Sequence, residues 1–362
     1  MEGSTIDIVL FAPLAPILGV ILFWFLKLLF IESQKYFLHK IRPKHEPLCR
    51  FTNFLGILFQ SICHALGFTV TKSGISDFYI SVNYGRVAPK KEKRGIFEWV
   101  ANAFLFLGPF FIPAFLLFFC LIFLLPDVFS MNIPLNIEPI KYTFGGQFLT
   151  FGTNLYVFAE KLLGFLTSID FLNPIHFGFF ILLIFLGLGI RPSHIGEKKV
   201  DKIDIIYDLR NVWNLITHKP LYIILLILFS YNIYYVCLLF NLNFYVMLFS
   251  LFGYLSIISI VALLITHLII NLIRATDLLE GFRKYIPYLT LIFSYVIMRT
   301  IFFFIPFNYD KGVSIIVMFF TTLTVTFYLI SRDDKFKTQL NIKEKKKKDK
   351  EEKDGKRGTD KK

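Results

Sequence analysis

The chain has 362 residues, 55% hydrophobic and 18% aromatic, with only 18% charged and a formal net charge of +13. Charged residues alone normally make up about a quarter of a soluble domain, and stretches such as 220–240 have no polar stripe to face water, so lipid is the expected solvent. Four cysteines (Cys49, Cys63, Cys120, Cys237) lack both pairing and metal-ligand spacing, which argues against a disulfide framework or a zinc finger.

A spanning helix needs about 20 apolar residues to cross roughly 30 Å of hydrocarbon. Seven segments qualify, approximately 8–31, 99–125, 175–190, 221–240, 244–273, 285–307 and 313–330. The fold class expected is therefore all-α, a polytopic transmembrane helical bundle over 1–331 followed by a disordered Lys-rich tail over 332–362. The first segment follows Glu2 and Asp7, has no basic leader and no small-residue cleavage site, and is expected to remain as an anchor.

Lys and Arg fall on alternate connections. The connections 32–50, 71–97, 191–219 and 274–284 hold five, six, six and three, and the tail from 332 holds fourteen. The opposite set has Lys141, Lys161 and Lys311. That split of 34 to 3 places the N-terminus outside and the C-terminus in the cytoplasm of a cell-membrane protein. It also accounts for the basic charge, so nucleic acid is not an expected partner.

Residues 51–70 are long enough to span, yet both flanks are basic, and the segment carries Asn53, Gln60, Ser61 and His64. It reads as an interfacial helix, or one that dips into the bundle and returns. Polar backbone at that depth needs protein or a water-filled cavity over it. Over 68–87, alternation around Ser73-Gly74 predicts a small cytoplasmic β-hairpin. The outer connection 127–173 contains a moderately apolar stretch, 148–166, broken by Glu160 and Lys161; it is expected to cap the bundle, because an eighth span would upset the charge alternation. Between 199 and 218, apolar residues at three- and four-residue steps predict an amphipathic surface helix with Trp213 at headgroup depth.

The segment Cys63-His64-Ala65-Leu66-Gly67-Phe68, the hairpin after it, and Asn102 to Pro109 ending in Leu107-Gly108-Pro109 resemble, in order, parts of the site-2-protease class of membrane metalloproteases. Those have a His-Glu-x-x-His helix at the cytoplasmic side, then a hairpin, then a span with a Gly-Pro motif. His64 matches the first histidine, but Ala65 stands at the base and Phe68 at the second histidine. Catalytic zinc requires about three protein ligands and an activating base. The resemblance therefore implies a protease-like bundle without its metal, acting as a non-enzymatic scaffold or regulator, with no cofactor and no catalytic residue assigned.

Two other readings rest on other residues. His267, Asn271 and Arg299 lie within apolar segments, where ionisable groups mark pathways or buried partners; they motivate a transporter or channel component, with Asp310 a partner for Arg299. Ser256, Ser259, Ala262 and Thr266 share one face of the segment carrying His267, as a helix–helix seam would. His194, Asp201, Asp204 and Asp208 near the inner surface motivate a lipid-modifying enzyme, the plainer reading being a solvated helix face. The lysine-rich tail is expected to be disordered and drawn to anionic lipids at the cytoplasmic face; protein partners are not indicated.

Overall fold

The computed structural model describes residues 4–124, 142–195 and 201–333. The tail from 334 and the connection 125–141 lie outside the described residues. The chain divides into two compact units, Met1–Ile270 and Asn271–Lys362.

The first unit begins with a turn of π-helix, Asp7–Phe11, followed by α1 (Leu14–Ile41) and α2 (Glu46–Val70). A two-stranded antiparallel sheet, β1 (Ile75–Ile80) and β2 (Gly85–Pro89), precedes α3 (Ile96–Leu124). Then come α4 (Phe144–Thr167), α5 (Pro174–Gly189), a two-residue strand pair β3 (His194–Ile195) and β4 (Asp201–Lys202), α6 (Ile205–Thr217), α7 (Pro220–Leu239) and α8 (Phe244–Thr276). The unit boundary falls inside α8. The second unit holds a 3₁₀ turn at Gly281–Tyr285 leading into α9 (Ile286–Phe304), and then α10 (Asp310–Asp333).

Seven of these helices are long and apolar enough to cross a membrane: α1, α2, α3, α7, α8, α9 (with its 3₁₀ lead-in) and α10. The set differs from the sequence expectation at one place. The segment 175–190 forms α5, which has only 16 residues, or about 24 Å of helix. The segment 46–70 instead forms one unbroken helix of 25 residues, so it does not dip and return.

Contacts between neighbouring helices show how these two elements lie. Along α1, Gly19 meets the ring of Phe151, the Lys27 ammonium meets the carbonyl of Phe110, and Gln34 Nε2 donates to the carbonyl of Gly187 (3.0 Å). At 1.5 Å per residue these levels are about 10–12 Å apart. Helix α4 runs down beside α8 in parallel, with Asn154 on Ser250 and Phe158 stacked on Tyr254. His176 and Phe179 of α5 touch Phe165 near the lower end of α4, while Gly187 touches Ala262 and Thr266. Both ends of α5 thus sit at one level of α8, and α5 lies crosswise.

Helix α2 instead packs along α3: Gly67 touches Ala101 and Phe104, and Cys63, one turn earlier, lies against Gly108. Near its start, Leu55 touches Gly189 of α5. Glycines permit these close approaches. A Cβ on Gly56 would collide with the backbone of Pro192, and one on Gly187 with the carbonyl of Ala262. The hydroxyl face of α8 is a packing seam: Ser256, Ser259, Ala262 and Thr266 are all fully buried, and the three hydroxyls bond back to carbonyls four residues earlier.

The hairpin pairs Phe78 with Val87 and Ile80 with Gly85. Its turn is not at Ser73-Gly74, which instead joins α2 to β1 through a left-handed Gly74 (φ +68°). The turn is at Ser81–Tyr84, where the Ser81 hydroxyl accepts the amide of Tyr84 (3.1 Å). The stretch 148–166 is not a cap. It is the body of α4, buried along Phe151, Leu155, Phe158, Leu162 and Phe165 and packed lengthwise on α1.

Candidate functional site

At one end of the first unit, four backbone carbonyls are satisfied by neutral hydroxyls. The π turn sends the amide of Ala12 to Asp7 (2.8 Å), and Pro13 has no amide for Val9, so the carbonyls of Ile8 and Val9 lose their usual helical partners. Tyr234 donates to Ile8 (2.9 Å) and Tyr235 to Val9 (2.8 Å). Tyr231 donates to Leu10 (2.7 Å) and Tyr245 to Pro13 (2.6 Å). Four hydroxyls from α7 and α8 thereby fasten the start of α1.

The other part of the unit, where α2 meets α5, is charged. Lys27 is fully buried, and its ammonium donates to the carbonyl of Phe110 (2.6 Å), between the two prolines, Pro109 and Pro113, that interrupt α3. It also sits 4.2 Å from the centre of the Phe111 ring, an attraction of up to about 2 kcal/mol in a desolvated site. Arg191 lies 5.3 Å from the Phe110 ring. Its Nε donates to Oδ1 of Asp208 (3.1 Å), joined by Nη2, and the two side chains are 1% and 2% exposed. Nη1 of Arg191 is buried without a hydrogen-bond partner. Nearby, Lys35 donates to the carbonyl of Ile203 (2.8 Å) and stands 3.8 Å from Glu32.

Asp208 is thus not on a solvated face: the turn through Pro192 and the strand pair folds α6 back onto Arg191. Asp204 serves α6 differently, as its N-cap, accepting the amide of Tyr207 (2.8 Å). This satisfies a terminal donor that the helix cannot satisfy itself. His194 and Asp201 are placed in the strand pair, where His194 pairs with Lys202 and Ile195 with Asp201; their side chains lie outside those described. Trp213 is 64% exposed on the outer face of α6.

The three protease-like parts come together around α2. A Cβ on Gly108 would lie 3.0 Å from Cβ of Cys63, so the Gly-Pro segment of α3 packs directly on the residue before His64. The His64 ring packs against that of Phe68, one helical turn on, with centroids 4.3 Å apart and the planes tilted by 36°. Among the described residues no three His, Cys, Asp or Glu side chains gather as a metal would require. His64 lines an open cavity of about 430 Å³ with Phe68, Lys91, Arg94, Phe97 and Asn102.

His267 Nδ1 lies 2.6 Å from the carbonyl of Leu263 on its own helix, and its ring meets Phe30 and Phe37 edge-on. Asn271 is exposed, so the two do not form one polar site. In the second unit the guanidinium of Arg299 is paired with the carboxylate of Asp310 across the turn between α9 and α10.

Sequence reasoning did not single out Lys27 and Lys35 as site residues, and it placed the Arg191-Pro192-Ser193-His194 corner beside Asp201, Asp204 and Asp208 at the inner surface without pairing Arg191 with Asp208. The available signal was Lys27 itself, a lone lysine in an apolar run. No family model matches the chain, nor does any curated protein or solved structure.

Proposed function

We propose that this chain is a multi-pass cell-membrane protein, N-terminus outside and C-terminus cytoplasmic. In this reading it acts as a non-enzymatic scaffold or regulator on a site-2-protease-like core. Lipid as solvent is supported by the apolar surface its helices leave open, with Phe229 at 62%, Phe293 at 59% and Phe303 at 81% exposure. Along α7 every residue from Ile224 to Phe229 is exposed, and contiguous exposed apolar area on that scale is rare in water-soluble monomers. Seven crossings by α1, α3, α4, α7, α8, α9 and α10, with α2 and α5 on the inner side, keep the Lys/Arg alternation. Lys161 then falls within α4, leaving Lys141 and Lys311 on the outer side.

The observation that carries the functional reading is the packing of Gly108 on Cys63 beside a His64 that packs against Phe68. It joins the order of parts seen in the proteases to an arrangement with a ring contact where a second zinc ligand would stand. Arg299, a motive for transport, already has its counter-ion in Asp310, which removes the main reason to treat it as a pathway residue.

Two measurements test this. Single-cysteine labelling at Ser168, the residue just after α4, distinguishes the crossings: a membrane-impermeant maleimide should reach it from the cytoplasmic side, and labelling from outside would make α5 the crossing helix instead. Metal analysis of the purified full-length chain should find no zinc that depends on His64. One tightly held zinc, lost in His64→Ala, would overturn the non-enzymatic reading.

A further inference from the structure

Between α1, the start of α2 and the hairpin turn lies a cavity of about 520 Å³, within the size range of small-molecule sites. Its basic lining comes from Lys35, His39, Arg42 and Arg50, with Glu32 as the one acid. Glu32 is directed to Lys35 at 3.8 Å, and Arg50 is held on the surface by Glu46 (3.0 Å). The walls are fixed by Asn53, whose Nδ2 donates to the carbonyl of Val82 (2.9 Å) and whose Oδ1 accepts the amide of Ser193 (3.0 Å). That one side chain ties the hairpin turn and the chain after α5 to α2.

Lys35, Leu38, Thr52 and Ser193 also border a second space of about 10 Å³, lined besides by Gln34 and Arg191, about enough for one water. The Arg191 guanidinium is 1% exposed and held on one edge by Asp208, with its Nη1 unpartnered. Four basic side chains around one cavity against a single acid have the chemistry of an anion site.

We propose that this cavity binds a phosphate monoester on a small organic headgroup. Arg42 and Arg50 at its rim match phosphate oxygens with their fork of donors, and the cavity exceeds what a bare inorganic anion fills. The side chains of Tyr36 and Val82 at the mouth, 56% and 41% exposed, suit the carbon skeleton bearing the phosphate. A lipid such as phosphatidic acid and a soluble ester such as glycerol 3-phosphate share this chemistry. Assigning the lipid as the source rests on the membrane reading above; the anion site itself does not.

The test uses the purified full-length chain with two probes: glycerol 3-phosphate in detergent, read by calorimetry, and phosphatidylcholine vesicles with or without phosphatidic acid, read by co-flotation. Binding of the soluble ester supports the site with a free phosphate as its source. Binding only to vesicles with phosphatidic acid supports it with a headgroup as its source. The double variant Arg42→Gln/Arg50→Gln alters exposed side chains and should keep the fold while weakening binding roughly tenfold or more. Lys91→Gln/Arg94→Gln, in the other basic cavity, removes the same charge and should leave binding unchanged. No binding of either probe, an unaffected rim variant, or equal weakening by both variants would overturn the proposal. If Ser168 is nevertheless labelled from the cytoplasmic side, only this site falls and the membrane reading stands.

Discussion

The two ends of the first unit solve the same problem in opposite ways. At the end where α1 begins, a π turn and Pro13 release backbone carbonyls, and four tyrosine hydroxyls take up Ile8, Val9, Leu10 and Pro13. All four side-chain donors are hydroxyls, and each has a close acceptor. At the other end the buried groups are charged, one ion pair has a donor to spare, and two basic cavities open on elements nearby. A region built only for stability resembles the first; removing charges from water is costly even when they are paired. The contrast puts function at the charged end.

The sharpest way to break that contrast is to remove one half of the buried pair. Asp208→Ala leaves Arg191 charged and enclosed, and should cost about 3–5 kcal/mol, read as a large fall in Tm of the detergent-solubilised protein. Arg191→Met/Asp208→Leu removes both charges and should recover most of the loss. If the single variant melts like the parent, the pair is not closed as described and the charged end loses its anchor. Next in size is Tyr234→Phe at the hydroxyl-lined end, which strands the carbonyl of Ile8. Hydrogen bonds of this kind in apolar surroundings are worth about 1–2 kcal/mol, so a smaller drop in Tm is expected. Any ligand binding at the opposite end should be untouched. Loss of both together would mean that the two ends are coupled rather than separate.

Much of this architecture is legible in the sequence, and the failures have physical causes. Apolar length finds the long helices, period-two alternation finds a hairpin but takes 68–72, the end of α2 and the turn after it, for its first strand, and three- and four-residue steps find α6, because those signals are local. Which apolar helices lie crosswise is not local. It depends on Gly56, Gly187 and Gly189 letting backbones cross closely, and a glycine inside an apolar run has no unique reading. Helix α4 was hidden by Glu160 and Lys161, and α5 was promoted by its apolar content, although it is only 16 residues long. Arg299 and Asp310 could be matched because a short turn forces them together. Arg191 and Asp208 could not, since their meeting depends on the strand pair and on the direction in which α6 folds back. Lys27 was visible as a lysine within a span, but its acceptor is a backbone carbonyl on another helix, which no side-chain pattern announces.

Lys27 sharpens the comparison further, through the smallest expected effect. Its ammonium has one carbonyl acceptor and an aromatic face, together worth about 2–5 kcal/mol. Enclosing an ammonium costs several kcal/mol even after the surroundings relax. The terms nearly cancel, so Lys27→Met, which keeps the unbranched stem and drops the charge, should change stability by less than about 1.5 kcal/mol. Measured beside Asp208→Ala, that near-neutral result would separate a charge that holds the fold from one that the fold merely tolerates. The tolerated charge is the one whose retention calls for a functional reason. A loss as large as that of Asp208→Ala would place Lys27 with the ion pair as part of the scaffold, and the basic cavity between α1 and the start of α2 would then remain the candidate site at this end.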